Sequence, residues 1–349
     1  MQDNSRPRQP IDVLIVGSGP AALAAAAVLQ QAGLRVACYE KGALAQAITQ
    51  WPYYMKFFST AANVELPGYP LVLTEDKPTR EEYLNYLRRY MRDKQIQVLT
   101  GHRVDTLERE TDSGFVVHGT DEWGRSFIVR AQFVVVATGA YELPKLMNVP
   151  GEELHKVSHY YREVHPYVGQ KVAVVGGRNG AAEAALLLWR AGAEVTLIYR
   201  GEKLEPLKWW LQPDLENRIR NGEIRALLGT TICEILPHEI VVQNSRGTTQ
   251  RLENDFVLAM TGYRPETGLL SSAGVVVDPV TRRPRIDPDT FETNVPGLFV
   301  AGVIAAGDIS NEIFIENSRD HGYKILDGIR KYNGALPHLD PPLWTGASA

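Results

Sequence analysis

Small residues follow the first apolar run of the chain at a spacing typical of a phosphate-binding turn. Gly17, Gly19 and Ala22 come directly after Asp12–Val16, which is predicted to be a buried strand. Gly17 permits a tight turn, Gly19 lets a pyrophosphate approach the backbone, and Ala22 lets the next helix pack closely. The free N–H groups at the start of that helix would face the phosphates. The pattern therefore predicts a bound dinucleotide.

An acidic residue completes this first motif. Glu40 follows Gly17 by 23 residues and ends a second predicted strand, Arg35–Tyr39. A carboxylate at this position accepts hydrogen bonds from the hydroxyls of an adenosine ribose and repels a 2′-phosphate. The alternative is a turn selected only for packing, but strand, helix, second strand and acid are all in phase. We expect a non-phosphorylated adenosine here, as in FAD.

A second turn, at Gly176–Ala181, repeats the arrangement with two departures. Arg178 stands where the first turn has its second glycine, and Tyr199 stands in place of the acid. Arg200 and Lys203 follow closely. An aromatic ring and two cations favour a 2′-phosphate, so this turn predicts NADPH. The alternative interpretation is a solvated basic loop.

Two strands that end in Thr-Gly indicate a duplication. They are Phe133–Gly139 and Phe256–Gly262, and each lies downstream of one glycine-rich turn. We predict an α/β fold of two Rossmann-like dinucleotide-binding domains, with the NADPH domain inserted in the FAD domain. The predicted FAD-binding domain takes residues 1–149 and 290–349, and the predicted NADPH-binding domain takes residues 150–289.

The remaining elements of the FAD domain can also be predicted. The segments Val104–Arg109, Phe115–His118 and Phe127–Val129 alternate in the manner of an antiparallel meander. Gly297–Ala301 gives one more strand, and a single helix is expected over Ile315–Ile329. The N-terminus of that helix would direct its dipole at the pyrimidine end of a flavin, where it would stabilise negative charge.

Composition excludes several classes of protein. The 349 residues are 44% hydrophobic and 22% charged, which fits a globular protein of one large or two medium domains. The longest apolar run, Ala21–Leu29, is far shorter than the ~18 residues of a membrane span. A net charge of −4 offers no basic field for nucleic acid. The polar segment before Ile11 has no signal-peptide core, so we expect a cytoplasmic location.

The cysteines limit the possible chemistry. Cys38 and Cys233 are 195 positions apart, with no C-x-x-C and no cluster of cysteine and histidine. We therefore predict no metal site and no disulfide framework. Both cysteines fall in predicted strands and are expected to be structural. Any redox chemistry must come from a bound cofactor.

Aromatic residues and histidines leave alternatives open. Trp51–Phe58 could flank an isoalloxazine ring, and Trp209 with Trp210 could line a cleft between the domains. Core or interface packing is the commoner role for both groups. The predicted interdomain connection holds His155, His159 and His165, one of which could protonate a substrate; a structural or exposed histidine is the alternative.

Short segments spread over residues 11–330 carry a more specific pattern. They are Gly17–Pro20, Glu40–Gly42, Phe57–Thr60, Val64–Leu66, His159–Tyr161, His165–Tyr167, Ala259–Tyr263, Gly302–Val303, Phe314–Asn317 and His321–Gly322. The order of the modules resembles that of the thioredoxin-reductase-like flavoproteins. The segments resemble, more narrowly, the YpdA-type bacillithiol disulfide reductases.

Three departures from these families affect the expected mechanism. Thioredoxin reductases carry a C-x-x-C in the NADPH domain, and this chain has none. Related flavin reductases end their last strand in Gly-Asp, whereas Gly302 is followed here by Val303, which is compatible with the YpdA-like group. Asp308, which follows five residues later, could take the place of the missing aspartate. Many YpdA-like proteins place a cysteine implicated in catalysis directly after Gly-x-Gly-Pro, and this chain has Ala21.

The resemblance implies an NADPH-dependent flavoprotein oxidoreductase that contains FAD and reduces a low-molecular-weight disulfide, bacillithiol disulfide or a near relative, without a protein dithiol. It implies a homo-oligomer, and no nucleic-acid or membrane partner is expected. Flavin monooxygenase-like and ferredoxin-NADP-reductase-like activities are the enzymatic alternatives, and a flavin-based redox sensor is the non-enzymatic one. No catalytic residue is assigned.

The expected cofactor-binding residues combine the motifs with the resemblance. Those expected at FAD are Gly17, Gly19, Pro20, Ala21, Ala22, Glu40, Lys41, Val104, Ala137, Thr138, Gly139, Gly302, Val303 and Ile315. Those expected at NADPH are Gly176, Gly177, Arg178, Asn179, Gly180, Tyr199, Arg200, Lys203, Thr261 and Gly262.

Overall fold

The computed structural model describes residues 11–110, 114–309 and 311–342 of the chain. Its helices are α1 (Pro20–Gln31), α2 (Gln46–Thr49), α3 (Ala61–Val64), α4 (Arg80–Asp93), α5 (Asn179–Arg190), α6 (Gln212–Arg220), α7 (Gly268–Ser272), α8 (Ile315–Ser318) and α9 (His321–Arg330). Short 3-10 segments lie at His165–Tyr167 and Gly302–Ala306.

The strands alternate with these helices as expected for an α/β chain. They are β1 (Ile11–Val16), β2 (Val36–Tyr39), β3 (Gln97–Leu99), β4 (His102–Glu110), β5 (Gly114–Asp121), β6 (Ser126–Val136), β7 (Leu143–Pro144), β8 (Val157–Ser158), β9 (Lys171–Val175), β10 (Glu194–Tyr199), β11 (Arg225–Leu228), β12 (Thr230–Ile235), β13 (Glu239–Asn244), β14 (Thr249–Glu253), β15 (Phe256–Ala259), β16 (Tyr263–Arg264) and β17 (Leu298–Val300).

The chain folds into two compact units. Within the described residues, the first unit takes the segments up to 49, from 54 to 143 and from 263 onward, and the second takes 50–53 and 144–262. The second unit is therefore inserted in the first. The boundaries between the two units differ from the predicted domain boundaries, which lie between residues 149 and 150 and between residues 289 and 290. Residues 263–289 belong to the first unit, because α7 packs against β4 and because Arg283 donates to the carbonyl of Ala306 (3.2 Å), in the segment that follows β17.

The first unit is built on a mixed sheet. Its strand order is β3-β2-β1-β6-β5-β4, and β17 also pairs with β6. The pairs among β3, β2, β1, β6 and β17 are parallel, and β6, β5 and β4 form the predicted antiparallel meander. The strand β1 is almost wholly buried, as expected for a parallel strand covered on both faces. This arrangement brings the carboxyl ends of β1, β2, β6 and β17 to one edge.

The second unit repeats the parallel part of this design. Its five-stranded sheet has the order β11-β10-β9-β15-β8, with every pair parallel. A three-stranded antiparallel sheet, β12-β13-β14, completes the unit. Alanine and leucine side chains of α5 fill the core over β9 and β10. The helix starts at the carboxyl end of β9, so the second turn lies at the same edge of its sheet as the first turn does.

The expected helix over residues 315–329 is wrong, because the structure has two helices there. The four-residue helix α8 ends at Ser318, and α9 begins at His321. Arg319 lies at the break and is buried, and its guanidinium donates to the carbonyls of Ala62 (2.8 Å) and Glu65 (3.2 Å). A single turn aligns too few peptide dipoles to supply the charge stabilisation expected of a long helix.

Candidate active site

The first glycine-rich turn has the backbone geometry that a dinucleotide requires. Gly17 has a φ of 112°, and a Cβ added there would lie 2.5 Å from the carbonyl oxygen of Ala137. Around Gly19, no atom of the described residues lies within 4 Å of an added Cβ, so the backbone is open on that side. Gly19 caps α1 without a capping side chain among those residues. The first N–H groups of α1 can therefore receive a pyrophosphate.

Glu40 is held at the end of β2 by the residue between the two glycines. Its Oε2 accepts hydrogen bonds from the main-chain N–H (3.1 Å) and the hydroxyl (2.9 Å) of Ser18, and its Oε1 accepts from the N–H of Gly42 (2.9 Å). The Ser18 hydroxyl also accepts from the N–H of Ala45. This buried carboxylate is preorganised beside the turn, where it can accept from a ribose. The role of Ser18 had no signal in the sequence.

A buried histidine supports the opposite side of the first turn. The N–H of Gly302 donates to Nδ1 of His321 (3.2 Å), and a Cβ added at Gly302 would lie 3.0 Å from the Cβ of Ala21. The ring of His321 packs against Phe291 with 3.9 Å between ring centroids. Burial lowers the pKa of His321 to about 4, and Lys324 adds to the shift. The residue was not predicted as part of the site.

The other residues expected at FAD lie around the same sheet edge. Pro20 and Ala22 begin α1, Ala137 bonds through its N–H to Val16 (2.8 Å), and Thr138 with Gly139 follows β6. Lys41 forms an ion pair with Glu142. Val104 lies in β4, two residues after His102, whose N–H donates to the carbonyl of Glu40 (2.8 Å). Val303 lies in the 3-10 segment after β17, and Ile315 begins α8, which packs against α1 and that segment.

The second turn uses its glycines differently from the first. Gly176 has a φ of 151°, and a Cβ there would lie 2.6 Å from the carbonyl oxygen of Met260. A Cβ at Gly177 would lie 2.6 Å from the ring of Tyr199. Arg178, in the position of the second glycine, has extended backbone that any residue adopts. The departure from the glycine pattern therefore costs the turn no strain.

Exposed cations surround this second turn. Arg178 caps α5 with its side chain exposed, and Arg200 and Lys203 are also exposed after β10. Burial and the hydrogen bond to Glu205 raise the pKa of the Tyr199 phenol, and the nearby charges of Arg200 and Arg178 oppose that shift. Asn179 and Gly180 open α5, where an anion would meet free N–H groups. The arrangement fits a phosphorylated adenosine.

Thr261 and Gly262 extend this edge from β15. The Thr261 hydroxyl donates to the carbonyl of Lys145 (2.5 Å), and the Lys145 N–H donates to the carbonyl of Gly262 (2.9 Å).

The described residues contain no group of three or more histidine, cysteine, aspartate or glutamate side chains able to hold a metal ion.

The cysteines lie in separate sheets. Cys38 is fully buried in β2, and burial raises the pKa of its thiol to about 12. Cys233 is half-buried in β12, at a shift in the register with β13. Both thiols are free. No pair of thiols is available as a redox relay.

The aromatic residues and histidines that left alternatives open have identifiable surroundings. Phe57 is buried against Tyr83, with 4.7 Å between ring centroids, which is a packing role. Trp209 and Trp210 form an edge-to-face pair at 5.5 Å, with Trp209 80% exposed. Burial lowers the pKa of His159, whose ring lies 3.4 Å from a carboxylate oxygen of Glu152. His165 opens the first 3-10 segment.

Two Rossmann-like units, one inserted in the other, give the chain the fold of the thioredoxin-reductase-like two-domain proteins. Residues 14–302 match the family model described as "Pyridine nucleotide-disulphide oxidoreductase", and the chain belongs to that family. The predicted fold class and enzyme class are confirmed. The predicted cofactors, FAD and NADPH, are those of such flavoproteins.

Relatives narrow the family further. "Bacilliredoxin reductase Bdr" of Bacillus subtilis (strain 168) is 39% identical over 319 residues, which cover 91% of this chain and 97% of the relative. The structure of "Bacillithiol Disulfide Reductase Bdr (YpdA)" from Bacillus cereus superposes with a TM-score of 0.90 at 41% identity, covering 93% of this chain and 100% of that one. The structure of the Staphylococcus aureus protein of the same name superposes with a TM-score of 0.87 at 32% identity, covering 93% of this chain and 99% of that one. The chain belongs to this Bdr (YpdA) group, and the resemblance is confirmed.

Proposed function

We propose that this chain uses NADPH to reduce a low-molecular-weight disulfide, with bacillithiol disulfide as the first candidate substrate. Two proteins of similar structure are named for that substrate class. The balanced reaction consumes one NADPH, one proton and one disulfide, and it yields NADP⁺ and two thiols. FAD supplies the two-electron store between the nicotinamide and the disulfide.

The positions of the two thiols support direct reduction of the substrate disulfide by the flavin. Cys38 is buried with a raised pKa, and Cys233 lies in another sheet. Ala21, the residue directly after Gly17–Pro20, lies beside Gly302, and its methyl group offers no sulfur. Because no protein dithiol can relay electrons, the substrate disulfide itself must reach the flavin. A small disulfide can enter such a site more readily than a disulfide within a folded protein.

We assign the FAD-binding role to the edge of the first sheet. The N–H groups at the start of α1 would bind the pyrophosphate, and Glu40, held by Ser18, would accept from the adenosine ribose. Gly302 and Val303 would approach the flavin with their backbone, because His321 fixes the N–H of Gly302. These residues bind and orient the cofactor.

We assign the NADPH-binding role to the edge of the second sheet. Asn179 and Gly180 would meet the pyrophosphate at the start of α5. Arg200, with Arg178 and Lys203, would neutralise the 2′-phosphate that distinguishes NADPH from NADH. Arg200→Glu should erase or invert the preference for NADPH over NADH, and equal use of both by the wild type would refute this assignment.

A panel of electron acceptors tests the substrate class. Purified protein with NADPH is assayed against bacillithiol disulfide, glutathione disulfide, thioredoxin, ferredoxin and oxygen. An oxidised bacilliredoxin is included because one relative is named for it. We expect thiol release to be fastest with bacillithiol disulfide. Oxygen consumption without thiol release would favour a monooxygenase-like activity, and rapid ferredoxin reduction would favour the ferredoxin-NADP-reductase alternative.

The location and assembly of the chain are further proposals. No helix in the described part of the chain is long and apolar enough to cross a bilayer. A cytoplasmic location would supply both NADPH and a reducing environment for the free thiols. We propose a homo-oligomer, as the resemblance implies. Light scattering during size-exclusion chromatography tests it, and a particle of 38.8 kDa would refute it.

A further inference from the structure

A loop of the second unit is fastened across its glycine-rich turn. This loop, Gly201–Lys208, is named the strap. The N–H of Glu205 donates to the carbonyl of Gly177 (3.2 Å), and the N–H of Lys208 donates to Oδ1 of Asn179 (2.8 Å). The strap is therefore bonded to the two residues on either side of Arg178. Its position is fixed by the turn that is proposed to receive NADPH.

One side chain of the strap also controls the ring beside that turn. The hydroxyl of Tyr199 donates to Oε1 of Glu205 (2.9 Å). The ring of Tyr199 lies against both Gly177 and Gly201, since a Cβ at either glycine would approach it to 2.6 Å and 2.5 Å. The hydrogen bond thus holds the ring flat on the turn. Glu205 brings a negative charge to Tyr199 at the end of β10, and Arg200 follows Tyr199 directly in the chain.

We propose that Glu205 is a specificity-determining residue for the pyridine nucleotide, which opposes binding of the 2′-phosphate and partly offsets Arg200. This inference rests on the proposed function, because it assumes that the adenosine end of NADPH binds at the end of β10. A 2′-phosphate beside the cations would lie near an exposed carboxylate, and like charges a few ångströms apart repel. The wild-type preference for NADPH is then a balance between Arg200 and Glu205.

The two roles of Glu205 can be separated by substitution. Glu205→Gln keeps an oxygen that accepts from the Tyr199 hydroxyl but removes the charge. Tyr199→Phe keeps the ring and the charge but removes the hydrogen bond. Glu202→Gln is the matched control, because Glu202 is another exposed carboxylate of the strap and lies beside Gly229 instead. None of the three substitutions changes the size of a core side chain.

Binding of adenosine fragments tests the inference without turnover. Adenosine 2′,5′-bisphosphate and adenosine 5′-monophosphate are titrated by calorimetry into the flavin-loaded protein at low salt. We expect Glu205→Gln to bind the bisphosphate about fivefold more tightly, with no change for the monophosphate, and the gain should shrink in high salt. Glu202→Gln should match the wild type, and Tyr199→Phe should change both ligands alike.

The possible failures are distinguishable. If Arg200→Glu weakens the bisphosphate while Glu205→Gln leaves its affinity unchanged, the role of Glu205 is refuted and the proposed nucleotide site stands. If Arg200→Glu leaves the bisphosphate affinity unchanged, the nucleotide assignment itself is refuted. A Glu205→Gln gain that is equal for both ligands would also overturn the inference, because it would show no discrimination of the 2′-phosphate.

Discussion

The buried imidazole of His321 makes stability depend on pH in a defined direction. Its side chain is buried, and Nδ1 accepts the N–H of Gly302. Burial lowers the pKa from 6.5 to about 4, so the native ring is neutral near pH 7 with its proton on Nε2. Protonation of Nδ1 would replace an acceptor by a donor that faces the N–H of Gly302. The native structure therefore resists protonation at this ring.

The magnitude follows from the two pKa values. Because the unfolded chain binds the proton more tightly, the free energy of unfolding falls as the pH drops below 6.5 and levels off below the native value of about 4. The difference between these values corresponds to roughly 3 kcal/mol in full. Between pH 7 and pH 5 the loss is about 2 kcal/mol, since most of the unfolded population is already protonated at pH 5.

Urea unfolding at pH 7, 6 and 5 tests this prediction with a matched pair of variants. His321→Asn places an amide oxygen where Nδ1 accepts, and that oxygen does not titrate in this range. His338→Asn removes an exposed histidine of the same unit. We expect the wild type and His338→Asn to lose about 2 kcal/mol more than His321→Asn between pH 7 and 5. Parallel losses in the wild type and His321→Asn would refute the reasoning.

Three further predictions concern the first unit. Gly17→Ala should destabilise the protein by several times the ~1 kcal/mol expected for Gly33→Ala. Both residues have a positive φ, but only a Cβ at Gly17 meets a carbonyl oxygen, at 2.5 Å. Equal urea midpoints for the two variants would contradict this prediction. Ser18→Ala should lower the free energy of unfolding by ~1–2 kcal/mol and weaken FAD binding, because Glu40 loses a buried hydrogen bond. The dissociation constant for FAD is measured by calorimetry on the apoprotein, and an unchanged value would disprove the role of Ser18 in positioning Glu40. Cys38 should remain unmodified by iodoacetamide until the chain unfolds, as it is fully buried with a pKa of about 12; labelling of native protein, detected by mass spectrometry, would argue against it.

The parallel modules could be predicted from local sequence alone. Each depends on residues close together in the chain: an apolar strand, small residues in a turn, and a helix of alanine and leucine. Such turns need particular backbone angles that few residue types adopt, so Gly17 and Gly176 are visible without tertiary information. The order of the two turns and of the Thr-Gly strands then indicated the insertion of one unit in the other.

Only the tertiary structure decided how the sites are supported. Three side-chain hydrogen bonds support these sites: Ser18 with Glu40, His321 with Gly302, and Glu205 with Tyr199. No spacing in the sequence predicts such pairs. The break between α8 and α9 has the same origin. Local propensity favours one continuous helix there, but the guanidinium of a buried arginine binds carbonyls more than 250 positions away. Contacts between distant segments outweigh local preference because a buried polar group must find its partners wherever the fold brings them.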